Sequence, residues 1–395
     1  MINRFGNLEK QAASLNGSCS FSPNLVILLL VTGFAIYTLT DEEYFFYRLQ
    51  DAHAIKHIEF SSWLTMLAMI TSLALGVHLG KKFPSFVTFD PLDLTDLIYL
   101  RRICLISSLI LLLSTTWVFV GNISFSEVIS RRNELRIIFM GHAGKINFLL
   151  FPLQHFVYLW AAIAPKLPKF KWDFLFIALI TVIIGYLMQT RLLVLFASLV
   201  YAINYLKFRG ADKRILIIIS ALVTLFCGLT LIRVSGDSSV IATITDEILK
   251  YFITPYSYAS SIIFEDLVDP EFGFHVIFSF FTVSIGKFFG YSFGGEPNFF
   301  MSSVFYNPSH THWGLLGQLY AGFGSFSFVL SMILGFVIGS SYSGYKMGSY
   351  VQSLMYPIIF VFSLDFVRHT SIVIGAVPTV ASFLMMYVTL KRLLR

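Results

Sequence analysis

Long apolar blocks separated by short polar segments run along almost the whole chain. The blocks fall near 24–40, 61–80, 103–121, 147–165, 173–189, 192–206, 215–232, 313–340, 347–364 and 371–390. Most are close to the ~20 residues that an α-helix needs to cross a bilayer. The pattern therefore predicts an all-α polytopic membrane protein with about ten transmembrane helices.

The composition agrees with this prediction. Hydrophobic residues make up 56% of the 395 residues and charged residues only 13%, whereas a soluble chain carries about a quarter charged residues. No small-residue cleavage site follows the first block, so we expect that block to be a retained signal anchor. The wide spacing of Cys19, Cys104 and Cys227 indicates neither a disulfide framework nor a metal site.

Positive charge predicts how the helices are oriented. If both termini are cytoplasmic, the most basic loops all fall on the cytoplasmic side, as the positive-inside rule requires. These loops and tails carry Arg4, Lys10, Lys81, Lys82, Arg101, Arg102, Lys166, Lys169, Lys171, Lys207, Arg209, Lys213, Arg214, Lys346, Lys391, Arg392 and Arg395. Because the net charge of +6 is scattered over loop ends, it does not indicate nucleic-acid binding.

One large loop, residues 233–312, is left on the opposite side within what we interpret as a single membrane domain, 1–395. Residues 275–290 are not counted as an eleventh span, because only about ten apolar residues precede Lys287. A span there would also move Lys346 to the outer side. We expect a re-entrant or interfacial helix in this part of the loop.

The predicted topology does not explain several arginines on the outer side, because the positive-inside rule predicts few cationic residues there. They are Arg131, Arg132 and Arg136 in the loop 122–146, and Arg191, Arg233 and Arg368 near span ends. Guanidinium groups bind phosphate in a bidentate manner and stay charged at working pH. We therefore predict that they bind pyrophosphate; lipid-headgroup contact, or pairing with acidic residues of loop 233–312, is the alternative.

His310 and His312 lie where the large loop enters the eighth span, after Pro308. A histidine can act as a general base because its pKa lies near neutrality. Metal ligation by the pair, with Glu296 or His275, and simple interfacial hydrogen bonding are the alternatives. With Arg191 and Arg233, the two histidines predict a charged pocket at the membrane surface, and loop 233–312 would be its lid.

Two further groups have candidate roles. Asp365, Arg368 and His369 follow an i, i+3, i+4 pattern, which predicts one helical face and a capping salt bridge at the end of the ninth span. Tyr251 and Tyr256 are candidates for stacking on sugar rings, and Glu296 is a third candidate for glycan binding. An amphipathic interfacial helix broken at Pro255 is the alternative for the tyrosines.

These features resemble the bacterial O-antigen (oligosaccharide repeat-unit) polymerases of the Wzy type. The resemblance rests on the large loop, the hairpin 188–193, the Lys250-Tyr251-Phe252-x-x-Pro255 motif, and the run from Pro297 through Asn307 and His312 into a Gly-rich helix. That helix contains Gly314, Gly317, Gly322 and Gly324. Thr311-His312 stands where many of these polymerases carry Asp or Tyr.

The resemblance implies a metal-independent, inverting glycosyltransferase of the C-type membrane fold that has no cofactor. It would act at the periplasmic face of the bacterial inner membrane on undecaprenyl-pyrophosphate-linked oligosaccharides. The growing glycan would move from one lipid carrier to a new repeat unit on another. A chain-length regulator and a flippase of the same pathway are the implied partners.

Three other functions compete with this one. An O-antigen ligase shares the fold and the donor but transfers glycan to lipid A core. A flippase or transporter of lipid-linked sugars predicts charges within the spans and an inverted repeat, and the sequence shows neither. A membrane acyltransferase is expected to carry a catalytic His and Arg near the first span, and residues 24–40 contain neither.

Overall fold

A computed structural model describes most of the apolar blocks. The described residues are 21–40, 59–83, 92–121, 124, 135, 147–167, 172–188, 191–210, 220, 253–270, 272–273, 314–367 and 376–393. They contain helices and turns and no β-strand. The helices are α1 Asn24–Leu39, α2 Phe60–Lys82, α3 Leu94–Val120, α4 Asn147–Ile163, α5 Asp173–Leu187, α6 Arg191–Arg209, α7, of which the structure describes residues 253–264, α8 Gly314–Phe323, α9 Ser327–Lys346, α10 Tyr350–Leu364 and α11 Ala376–Leu393.

The helical membrane class predicted from the sequence is confirmed. In the described part of the chain, four helical stretches are long and apolar enough to cross a membrane: Phe60–Lys82, Leu94–Val120, Leu192–Arg209 and Gly314–Lys346. Shorter apolar helices are α1, α5 and α10. The number and order of about ten spans stay a prediction, because the block 215–232 lies outside the described residues.

Helix α3 begins earlier than the apolar block at 103–121 indicates. The Asp93 carboxylate accepts a hydrogen bond from the Asp96 backbone N–H, 2.9 Å away, and the Asp96 carboxylate accepts one from the Asp93 N–H at 2.6 Å. This reciprocal capping satisfies two amide donors that a helix start leaves open. Arg101 and Arg102, expected in a loop, therefore lie inside α3.

The helices belong to two compact units. The first comprises Met1–Ser22, Pro91–Ser235 and Ser353–Ile358, and the second comprises Pro23–Asp90, Gly236–Gln352 and Ile359–Arg395. Each unit is described by itself below. The assignment of residues 1–395 to a single membrane domain stays a prediction.

A buried ion pair joins three helices of the first unit. The Arg101 Nε of α3 donates to the carboxylate of Asp173, the first residue of α5, at 2.6 Å, and Trp160 Nε1 of α4 donates to the same carboxylate at 3.1 Å. Asp173 is almost completely buried, so the bidentate guanidinium contact compensates a charge that would otherwise be costly. Helices α3 and α5 thus start where α4 ends.

A second polar group of the first unit lies beyond the end of α4. Asn204 of α6 donates to the carbonyl oxygens of Ala162, at 2.7 Å, and Ser353, at 2.8 Å. Lys166 is hydrogen-bonded to the Ser353 hydroxyl, and Arg209 Nε donates to the Pro165 carbonyl at 3.2 Å. The end of α6 therefore lies next to the end of α4.

The second unit is built on a backbone contact between α2 and α9. A Cβ atom added at Gly76 would lie 2.0 Å from the Met332 carbonyl oxygen, and one at Gly335 would lie 2.1 Å from that of Leu73. Gly80 and Gly339 make equivalent contacts one turn further along. Because residue numbers rise together on the two helices, α2 and α9 are parallel, and small residues let their backbones touch.

Helix α1 packs antiparallel to α2. Lys81 Nζ, at the end of α2, donates to Asn24 Oδ1, at the start of α1, at 2.6 Å. The rings of Phe34 and Trp63, near the other ends, have centroids 5.6 Å apart. Lys81, Lys82 and Lys346 consequently lie at the same end of the α2–α9 pair.

The glycine contact gives a prediction about stability. Gly76→Ala or Gly335→Ala should destabilise the protein by about 1–3 kcal/mol, because a methyl group must push two backbones apart. Thermal unfolding in lipid nanodiscs measures the effect. Gly121→Ala is the matched control, since its Cβ would have its nearest neighbour at 3.3 Å. Equal melting temperatures for Gly121→Ala and Gly335→Ala would contradict the packing described.

Candidate functional site

The structure describes only part of the site predicted from the sequence. Arg191 is the first residue of α6, and the described features do not include its side chain. Tyr256 is described in full. The others lie outside the described residues, and their roles stay predictions: Arg131, Arg132, Arg136, Arg233, Tyr251, Glu296, His310, His312, Arg368 and His369.

Tyr256 lies on α7 and holds that helix against α1. Its hydroxyl donates to the Leu30 carbonyl oxygen at 2.6 Å. Its ring is stacked on Tyr37, with centroids 6.2 Å apart and planes at 22°, and lies 6.1 Å from Phe34. With 2% of its surface exposed, the ring offers no face to a sugar in this arrangement. The glycan contact predicted for Tyr256 would need α7 to leave α1.

The first part of loop 233–312 that the structure describes is buried. Every residue from 253 to 263 is buried, including Thr254, Ser257, Ser260 and Ser261. The sequence contains a signal for this, because no charged residue lies between Lys250 and Glu265. This segment is a packed helix of the second unit.

Helix α8 runs beside α7 in the same direction. A small apolar cavity of about 10 Å³ is lined by Pro255 and Tyr256 of α7 and by Gly314, Leu315 and Leu316 of α8. Ala321, near the end of α8, packs on Tyr258 and Ile262. After the end of α7, Asp266 Oδ1 accepts a hydrogen bond from Tyr320 Oη of α8 at 2.8 Å. The Asp269 N–H donates to the carbonyl oxygen of Ala321, also in α8, at 2.6 Å.

The chain reverses between α8 and α9. Gly324 opens the 3₁₀ turn Gly324–Phe326 with φ of +51°, a conformation that L side chains rarely adopt. Helix α8 is parallel to α7, whereas α9 is parallel to α2. The apolar block at 313–340 is therefore divided into two helices. In the first of them, Gly322 packs on Gly273.

The turn after α10 completes the wall of the cavity. Helix α10 ends at Leu364 and continues as the 3₁₀ turn Asp365–Val367. The helical face and salt bridge expected for Asp365, Arg368 and His369 stay a prediction, because Arg368 and His369 lie outside the described residues. The turn packs on α1 and α8, and Phe366 lines the cavity together with Leu30. Three chain segments, α7, α8 and this turn, thus meet around the middle of α1.

Three predicted site residues are close in the sequence to residues that line this cavity. His312 is two residues before Gly314, Arg368 is two residues after Phe366, and Tyr251 precedes Pro255 by four residues. All three lie outside the described residues, so their positions and roles stay predictions.

Comparisons with protein-family models, with characterised proteins and with solved structures gave no match for this chain. The site is thus assessed from its own residues. Within the described ranges, no group of three or more His, Cys, Asp or Glu side chains could hold a metal ion.

The cavity itself was not among the features predicted from the sequence. Its wall residues Leu30, Leu315, Leu316 and Phe366 are apolar and are spread over three distant blocks. Only the short uncharged run before Glu265 distinguishes α7 from a surface loop. Its contact with the middle of α1 depends on tertiary packing, which a single sequence does not specify.

Tyr256→Phe tests the contact between α7 and α1. Loss of the hydroxyl leaves the buried Leu30 carbonyl without this donor, so we expect destabilisation by about 1 kcal/mol, and about 3–5 kcal/mol for Tyr256→Ala. Chemical or thermal unfolding in nanodiscs is the measurement. Tyr99→Phe, at a half-exposed tyrosine of α3, should have almost no effect. A Tyr256→Ala protein as stable as Tyr99→Phe would contradict the buried position.

Proposed function

We propose that the protein is an O-antigen polymerase of the bacterial inner membrane. It joins undecaprenyl-pyrophosphate-linked oligosaccharide repeat units at the periplasmic face, by inverting and metal-independent glycosyl transfer. Its fold would be of the C-type glycosyltransferase kind, and a flippase and a chain-length regulator would be its partners.

The observation that carries this proposal is the meeting of four segments at one cavity. Leu30, Pro255, Leu316 and Phe366 line it, and the sequence positions His312, Arg368 and Tyr251 within a few residues of this lining. A base, a phosphate-binding cation and an aromatic platform are the groups that glycosyl transfer from a lipid pyrophosphate needs.

The parallel contact of α2 with α9 supports the proposed topology. Two parallel helices that cross one membrane must be separated by an odd number of crossings. The blocks predicted between them, 103–121, 147–165, 173–189, 192–206 and 215–232, make an odd number. An additional span at 275–290 would make the number even. An odd number of crossings favours an outer-side location for the loop that contains α7.

The roles of the residues follow from the chemistry of the transfer. Negative charge develops on the pyrophosphate as it leaves, and guanidinium groups stabilise it. Arg368, which follows the cavity residue Phe366 by two positions, is assigned to the pyrophosphate. Arg191 and Arg233 are assigned to it from their positions in the sequence. His312, or His310, accepts the proton of the acceptor hydroxyl.

A gene deletion with complementation tests the proposal. The deletion strain should carry lipid A core capped by a single repeat unit on a surface-glycan gel, and the wild-type gene should restore long chains. Complementation with Arg191→Lys, Arg233→Ala, Arg368→Ala or His312→Ala should fail at normal protein level. Arg102→Ala and His78→Ala, at exposed residues of α3 and α2, are the matched controls and should restore them.

The gel separates the alternatives. Loss of all repeat units in the deletion strain would indicate a ligase or a flippase instead of a polymerase. Unchanged chain length with both Arg191→Lys and Arg233→Ala would refute their pyrophosphate role. Wild-type chains with His312→Ala would remove that residue from the mechanism.

A further inference from the structure

Three cations lie together in the first unit, where α6 and α4 end. Lys207 and Arg209 are in the last turn of α6, and Lys166 closes the 3₁₀ turn Ala164–Lys166 that follows α4. The Nζ atoms of Lys166 and Lys207 lie 5.0 and 5.5 Å from the centroid of the Phe208 ring. These two distances add to 10.5 Å, the largest separation that the two ammonium groups can have. Lys166, Lys207 and Arg209 are called the α6 basic cluster below.

The α6 basic cluster lies at the level of the lipid headgroups. The stretch Leu192–Arg209 is long and apolar enough to cross a membrane. Its 18 residues make a helix of about 27 Å, close to the hydrocarbon thickness of about 30 Å. Because Lys207 and Arg209 are at the very end of this stretch, they reach the phosphate layer of one leaflet. The distribution of basic residues predicts that it is the cytoplasmic leaflet.

Arg209 supplies a directional donor in this cluster. Its Nε donates to the Pro165 carbonyl oxygen at 3.2 Å, which holds the guanidinium beside the turn that carries Lys166. The side chain is exposed, and its two terminal nitrogens make no hydrogen bond within the described residues. A guanidinium held in this way can bind two oxygens of one phosphate group. Lys166 and Lys207, both half-buried, add positive charge next to it.

Lysines at the end of a helix often serve only to balance the carbonyl oxygens that the last turn leaves open. Here other donors already satisfy four such oxygens. They are those of Ala162, bound by Asn204, of Pro165, bound by Arg209, and of Ala164 and Leu206, bound by the N–H groups of Leu167 and Gly210. The ammonium groups are therefore not required to balance these oxygens.

The described carboxylates of the first unit have partners away from this cluster. Asp93 and Asp96 cap the start of α3, and Asp173 binds Arg101 and Trp160. The described part of this unit contains no other Asp or Glu. Three positive charges thus lie together at headgroup level, and an anion placed there would gain from all of them.

A pair of lysines in the second unit also shares an aromatic ring but lacks the arginine. Lys81 and Lys346 lie 5.5 and 5.8 Å from the centroid of the Tyr342 ring. Lys81 Nζ donates to Asn24 Oδ1, and neither α2 nor α9 contains an arginine. Bidentate phosphate recognition by these helices is therefore not expected, and their lysines are suitable controls.

We propose that the α6 basic cluster binds the phosphate of an anionic phospholipid, such as phosphatidylglycerol. Arg209 binds two phosphate oxygens, and Lys166 and Lys207 supply the charge that distinguishes an anionic from a zwitterionic lipid. The depth of the cluster favours a lipid over free phosphate, since α6 ends where lipid phosphates are concentrated. The bound lipid joins the ends of α4 and α6. This site is separate from the glycosyl transfer proposed above.

Lipid-dependent stabilisation tests the site. Full-length protein in nanodiscs of phosphatidylcholine, with or without phosphatidylglycerol, gives the rise in melting temperature that the anionic lipid causes. Lys207→Gln/Arg209→Gln should lose most of this rise, and Lys82→Gln/Lys346→Gln, which removes the same charge at other helix ends, should keep it. The readout compares two lipid compositions for one variant, so a general loss of stability cancels. No rise for the wild type, or an equal loss in both double variants, would overturn the proposal.

Native mass spectrometry and a phosphate arm identify the ligand. The wild type should retain phosphatidylglycerol with an affinity about tenfold above that of Lys207→Gln/Arg209→Gln, because a hydrogen bond to a charged group contributes about this factor. Equal retention would overturn the proposal. Inorganic phosphate should not stabilise the protein in phosphatidylcholine nanodiscs, and a rise equal to that with phosphatidylglycerol would overturn the lipid assignment. Neither measurement uses activity, so a failure here leaves the polymerase proposal standing.

Discussion

The backbone contact between α2 and α9 is the constraint on which the second unit depends. Within a bilayer, apolar side chains gain little from touching each other, so helix association relies on close packing. Gly76, Gly80, Gly335 and Gly339 let the two backbones meet, and this fixes α9 parallel to α2. The chain must then reverse between α8 and α9, and Gly324 is the residue that permits it.

Once α9 is fixed, the remaining short helices have a defined place. Helix α1 is held antiparallel to α2, α7 is held on α1 by Tyr256, and α8 packs on α7. The start of α8, the described part of α7 and the turn after α10 therefore surround Leu30.

Several features of this arrangement can be predicted from the sequence, and others cannot. The apolar blocks predict the helices because bilayer thickness sets their length, and the bounds of α2 and α5 agree closely with them. The bounds of α3 do not, because its start is set by Asp93 and Asp96, which hydropathy ignores. Hydropathy does not predict the break at Gly324 within the block at 313–340, since the helices on both sides of it are apolar. The burial of α7 depends on Leu30 and Tyr37, more than two hundred positions earlier in the chain, so local composition could only hint at it.

The central claim is that this chain joins lipid-linked repeat units by itself. The direct measurement uses the purified protein in proteoliposomes with a synthetic undecaprenyl-pyrophosphate-linked repeat unit and EDTA, with mass spectrometry of the lipid products. The account predicts lipid-linked glycans of two or more repeat units, together with released undecaprenyl pyrophosphate. Recovery of the single repeat unit alone, with wild-type protein that is folded by its melting transition, would contradict it.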